Sequence, residues 1–249
     1  VHEERRDYAQ AASAQGRLVA LGDGSRSVLA HLLAEAALAE SDGELARQFA
    51  ERAAEVEPHS AHASFARGLI LLKHQKGREA ASALMKACVL DPEIAGRAAE
   101  PLVQAAGEAG PAAVVDFFSE RIRVGGDHAA LRLAIARCQR QQGRVEDAVA
   151  SLRRALDLDP RFVEARVELG RTLLESSMGS DVRREFDALL AGFGTQTPGF
   201  ACRACGQGYT ESHFRCARCL GWDTVRRGPP PEPGMLREAP QPRERADGK

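Results

Sequence analysis

Aromatic residues are scarce in this 249-residue chain: one Trp, two Tyr and nine Phe, 5% in all. A sheet-built core draws on aromatic and β-branched side chains, so an all-β fold is disfavoured. Ala and Leu dominate the apolar set, which suits helices whose backbones approach closely. Long hydrophobic runs are missing as well. No stretch reaches the roughly 20 apolar residues of a membrane-spanning helix, and no secretory h-region is present. Nor does one sign of charge prevail: 34 basic and 35 acidic residues nearly cancel. No global field therefore draws the chain onto nucleic acid or anionic lipid. Catalytic signatures are also lacking, with no phosphate-binding loop, no dinucleotide-binding glycine pattern, no HExxH and no GxSxG. The seven histidines are scattered, none beside an obvious nucleophile. We expect no enzyme.

Cysteine is present but unevenly placed. Cys88 and Cys138 stand alone in helical stretches, whereas Cys202, Cys205, Cys216 and Cys219 fall within 18 residues. A disulfide framework spreads its cysteines along a short chain; this clustering points to a metal site in a reducing, cytosolic setting. The two isolated thiols occupy small apolar repeat positions and read as packing residues.

A 34-residue period runs through most of the chain. Pro58 and Pro92 are 34 apart, and Pro160 lies twice that distance further on. With proline at position 32, units begin at Ser27, Ala61, Ala95, Ala129 and Val163. Position 8 is then Ala34, Gly68, Leu102, Ala136 and Gly170; position 20 is Ala46, Ala80, Val114, Ala148 and Val182. Position 27 is Ala53, Ala87, Arg121, Ala155 and Leu189. The pattern resembles the tetratricopeptide repeat (TPR), a helical hairpin whose small residues at 8, 20 and 27 let helices A and B approach, and whose proline ends helix B. The third unit, with Leu102, Arg121 and Gly126, is the poorest copy. The expected organisation is a partial helical segment over 1–26, an all-α TPR superhelix over 27–194, a four-cysteine ribbon over 198–227 and a disordered Pro/Arg-rich tail over 228–249.

The TPR resemblance implies a concave groove lined by helix A positions 2, 5, 9, 12 and 13. In this register the groove runs from an apolar patch at Phe65, Leu69 and Leu72 to a basic end at Arg137, Arg140 and Arg171. An apolar partner segment carrying acidic residues would match it. The Lys/Asn set that clamps chaperone C-terminal carboxylates is missing, so chaperone tails are not expected as ligands.

The strongest chemical signal is "FACRACGQGYTESHFRCARCLGWDTV", a C-x2-C-x10-C-x2-C pattern. Two intervening residues let a tight knuckle aim both thiolates at one ion while backbone N–H groups donate to the sulfurs. Gly206, directly after the second cysteine, supplies the left-handed conformation such a knuckle uses. Four thiolates suit zinc and mononuclear iron alike, and they leave no open position for hydrolytic chemistry. Arg203, Arg215, Arg218, Arg226 and Arg227 surround the site, and His213 reads as a surface or packing residue.

Hairpin repeats followed by such a ribbon resemble the lipopolysaccharide assembly protein B (LapB) family, whose ribbon is rubredoxin-like. The resemblance is carried by Cys202, Cys205–Gly206, Phe214 before Cys216, Cys219, Trp222 and Thr224, and by the segment around His31. Ala217 and Gln207 depart from the family's proline and aromatic. The resemblance implies a metal-binding adaptor on the cytoplasmic face of the inner membrane. It would restrain lipopolysaccharide biosynthesis by promoting turnover of the LpxC deacetylase through the protease FtsH. It also implies an N-terminal membrane anchor, which is expected to precede Val1. Two other readings stand beside it: a rubredoxin-like electron carrier, and a zinc ribbon that binds nucleic acid.

Overall fold

The computed structural model describes residues 7–175 and 199–228. The chain divides into two compact units, one helical and one a small β ribbon. In the helical unit α1 (Tyr8–Ala20) precedes hairpins α2 (Arg26–Ala39) with α3 (Gly43–Val56), and α4 (Ala61–Lys73) with α5 (Gly77–Leu90). Then follow α6 (Ala95–Ala106) with α7 (Gly110–Gly125), α8 (Ala129–Gln141) with α9 (Val145–Leu158), and α10 (Val163–Glu175). Every helix A starts within one residue of the register read from proline. Even the poor third unit forms a hairpin, because Gly107 and Gly110 adopt positive φ where the chain passes from α6 into α7.

Local chemistry explains where the helices begin and end. Asp91 and Asp159 precede the repeat prolines, and their side chains accept from the N–H groups of Glu93 and Arg161. Such a turn stops helix B and starts the next unit. Ser25, Asp42 and Ser60 cap α2, α3 and α4 through their side-chain oxygens. The turn after α4 repeats the closing bonds of the one after α8. Lys76 N–H reaches Leu71 O as Arg144 N–H reaches Gln139 O. The left-handed residue of this turn is Gly143 in one case and Gln75, at φ 59°, in the other.

Packing follows the small positions. Ala34, Ala46, Ala53, Ala80, Ala87, Ala136, Ala148 and Ala155 are all buried. At Gly68 the two helices of a hairpin approach closely: a Cβ there would fall 2.6 Å from Leu84 Cγ, so only glycine lets α4 and α5 meet at this spacing. The larger third unit compensates with Leu102 and Phe118, both fully buried. Arg121, at position 27 of that unit, is half-exposed. Val182, Leu189 and the expected disordered tail beyond Gly228 lie outside the described residues. So does the second helix expected for the fifth unit.

In the ribbon, β1 (Phe200–Cys202) lies between β2 (Gly208–Tyr209) and β3 (Val225–Arg227), antiparallel to both. Its core consists of Phe200, Val225 and the buried cysteines Cys202, Cys205 and Cys216. Two apolar side chains beside three cysteines form a very small core. Its stability must come largely from whatever joins the sulfurs.

Candidate functional site

The four ribbon cysteines converge. Their sulfurs all lie within 4.8 Å of one another, and they form the metal-compatible cluster found among the described residues. Each C-x2-C segment folds as the same knuckle. Gly206 N–H donates to Cys202 O and Leu220 N–H to Cys216 O, at 2.9 and 3.0 Å. Cys202 N–H in turn donates to Gln207 O, and Cys216 N–H to Gly221 O, each at 2.9 Å. Gly206 (φ 74°) and Leu220 (φ 60°) occupy equivalent places after the second cysteine. Glycine adopts this left-handed geometry at no steric cost; leucine does so against its Cβ.

Closest across the knuckles are Cys202 with Cys219 and Cys205 with Cys216, both sulfur pairs 3.6 Å apart. A regular tetrahedron with metal–sulfur bonds of about 2.3 Å has edges of about 3.8 Å. These two separations lie close to such an edge, so the cluster is compatible with a metal ion at its centre. Burial pushes each thiol up, but specific donors reverse this at two of them. The N–H of Cys219, the phenol of Tyr209 and the N–H of Arg218 bring Cys216 down to about 6. Burial is likewise outweighed at Cys202 by Thr224 and by the N–H groups of Cys205 and Ala204. Cys205 stays raised, and Cys219, facing the other sulfurs, is pushed up to about 12. One thiol of each close pair thus favours the anion while its partner resists a second charge. A dication among the sulfurs would ease that conflict by offsetting half of the four thiolate charges.

Tyr209 is the supporting residue that spacing did not reveal. Its hydroxyl accepts from Ala217 N–H at 2.6 Å and donates to Cys216 Sγ at 3.1 Å. Nothing in the linear pattern marks a tyrosine seven residues ahead of its sulfur. Thr224 Oγ1 lies 3.2 Å from Cys202 Sγ and 3.1 Å from Gly221 O. His213 packs its ring on Tyr209, centroids 5.0 Å apart, and sits outside the cluster. Two of the five arginines are stacked: Arg215 over Trp222 and Arg227 over Phe200. Arg203 donates to Arg227 O.

The groove residues meet a different fate. Phe65 is 3% exposed and covered by the Arg97 guanidinium, so it serves the core and not an open apolar patch. Leu69 and Leu72 are half-buried. At the expected basic end, α10 supplies acids that two of the arginines engage. Arg137 donates to Gly96 O at 2.7 Å and to Glu164 at 2.8 Å, and reaches Glu168 at 3.5 Å. Arg140 pairs with Glu168 at 3.1 Å and with Glu175 at 3.2 Å. Glu168 is nearly buried, so this network ties α8 to α10. Arg171 is exposed.

Cys88 and Cys138 are fully buried, and desolvation pushes both thiols up to about 12. Burial thus disfavours the thiolate at both. No helix among the described residues is long and apolar enough to cross a membrane.

Comparison with curated proteins finds no match. Among solved structures, the chain is similar to PilW, a widely conserved type IV pilus biogenesis factor, at 22% identity and TM-score 0.48, over 68% of this chain and 78% of that one. It is similar to YrrB, a TPR protein with an unusual peptide-binding site, at 17% identity and TM-score 0.40, over 69% and 86%. A third likeness is to MamA from Desulfovibrio magneticus RS-1, at 14% identity and TM-score 0.45, over 70% and 98%. At the level of sequence, residues 139–176, from the end of α8 through α10, match the family described as TPR repeat.

Proposed function

We propose that this protein is a non-enzymatic adaptor that regulates lipopolysaccharide biosynthesis at the cytoplasmic face of the inner membrane. In this reading Cys202, Cys205, Cys216 and Cys219 hold one iron or zinc ion, and the repeats over 27–194 present a surface to protein partners. The observation that carries it is the combination in one chain: TPR hairpins, which are typically protein-interaction scaffolds, and a two-knuckle ribbon with sulfurs spaced for one ion. With all four positions filled by thiolates, the ion would supply a structural clamp and no open site for chemistry. The partners would be the membrane protease FtsH and the synthesis enzyme LpxC, brought together so that the latter is degraded. Charge at the groove's α8–α10 end is internally compensated, so apolar and shape matching would dominate recognition there.

The test is the half-life of LpxC in cells of the source organism after deletion of the gene. The expected outcome is a longer half-life, restored by the wild-type gene and not by a Cys216→Ser variant. An unchanged half-life refutes the adaptor reading. One observation favours a second reading, electron transfer: Cys219 is the partly exposed cysteine of the four and would serve as the port to a redox partner. A reversible one-electron wave from the iron-loaded protein would support it.

A further inference from the structure

His31 and His62 lie on helix A of successive repeats, α2 and α4. Each is 1% exposed, and their Nδ1 atoms are 2.9 Å apart. The rings lie 5.2 Å apart, tilted by 34°. On the far side of His62, Nε2 is 3.3 Å from Glu35 Oε1. Glu35 of α2 is the carboxylate beside this pair, and its own charge is in turn acted on by both histidines and by Arg97 of α6.

At 2.9 Å the two facing nitrogens can share one proton. One must donate and the other must accept, since two N–H groups cannot point at each other at that distance. The closed pair therefore accommodates at most one imidazolium, whereas two separated, solvated imidazoles accommodate two. We infer that the His31–His62–Glu35 chain is a proton-linked latch between the first and second repeats, closed above the imidazole range and released by acid. The sign follows from proton counts. The opened state binds the extra proton, so opening is favoured as pH falls through the ordinary imidazole value of about 6.5. A latch at this place would let pH set how rigidly the first hairpin is docked on the rest of the array, whatever the repeats bind. It involves none of the ribbon sulfurs.

The size of the effect can be bounded. From pH 6.5 to 5.5 the opened state, with two ordinary imidazoles, gains about thirtyfold in statistical weight. The closed state gains at most about tenfold, from its single proton. Opening should therefore rise by between about threefold and thirtyfold.

Hydrogen exchange on the full chain at pH 6.5 and 5.5, corrected for intrinsic amide rates, reads this directly. Peptides of α2 and α3 should lose protection by at least about threefold more than peptides of α8 and α9. His31→Asn keeps an amide near the Nδ1 position but removes one titrating ring, and should abolish the difference; His62→Asn serves if that variant does not fold. Equal behaviour of the two hairpins in the wild-type chain, or an undiminished difference in the folded Asn variant, overturns the latch.

Discussion

Gly68→Ala offers a sharp test of how the hairpins pack. In an exposed helix this change should stabilise by about 1 kcal/mol, because alanine is the better helix former. Here the new methyl would lie 2.6 Å from Leu84 Cγ, 2.8 Å from Cδ2 and 3.2 Å from the Leu84 backbone nitrogen. The leucine side chain can turn away, but the backbone contact obliges α4 and α5 to separate. Overpacking of this kind costs about 1–3 kcal/mol, so the net effect should be a loss of about 1 kcal/mol. For a domain of this size that corresponds to a Tm lower by about 2–4 °C. Leu84→Ala alone should cost about 2–5 kcal/mol through the cavity it leaves. Combined, the two changes place alanine at both positions, as Ala34 and Ala50 do at the equivalent places of the first hairpin, and the new methyl fills part of the cavity. The double variant should then be less damaged than the sum by at least about 1 kcal/mol. Denaturant melts followed by far-ultraviolet circular dichroism would complete the cycle. A stabilised Gly68→Ala variant, or additivity within about 0.5 kcal/mol, would refute the close approach as the reason for glycine.

Leu220→Gly should relieve the left-handed strain of the second knuckle by about 1 kcal/mol, seen as slower loss of bound zinc to a chelator. Cys216→Ser should abolish stoichiometric metal binding on elemental analysis while leaving the helical circular dichroism signal intact, since the repeats are stabilised by their neighbours. Arg137→Glu should lower Tm markedly, by an amount equivalent to about 3 kcal/mol, because it sets a carboxylate against Glu164 and nearly buried Glu168; an unchanged melt would dissolve the proposed α8–α10 tie. Hydrogen bonds from Arg132 hold the Asp127 carboxyl below the ordinary aspartate range against slight burial, with Arg154 adding to the effect. Its contribution is therefore present above the unfolded value of about 4 and fades as pH falls through the lower folded value. Asp127→Asn should cost about 0.5–1 kcal/mol at pH 7, with the gap from wild type closing in melts near pH 2.

What the sequence alone determined was local or periodic. Helix starts follow from Asp91–Pro92 and Asp159–Pro160 because a proline and a capping carboxylate act within one turn of chain. The knuckle cysteines could be paired on the page because two intervening residues bring their sulfurs together through backbone geometry. The alanines at positions 20 and 27 were legible since a 34-residue repeat places them on the same helix faces each time. Tertiary structure decided everything that crosses between elements. It joined His31 to His62 across 31 positions, and it laid Glu164, Glu168 and Glu175 of α10 against arginines that the sequence had left facing an open groove. It also brought the Tyr209 hydroxyl onto Cys216 and gave Leu220 the backbone conformation that Gly206 holds without cost. Such contacts depend on how far one helix or strand is offset and rotated against the next. Packing of whole faces sets that offset, and no spacing along a single chain encodes it.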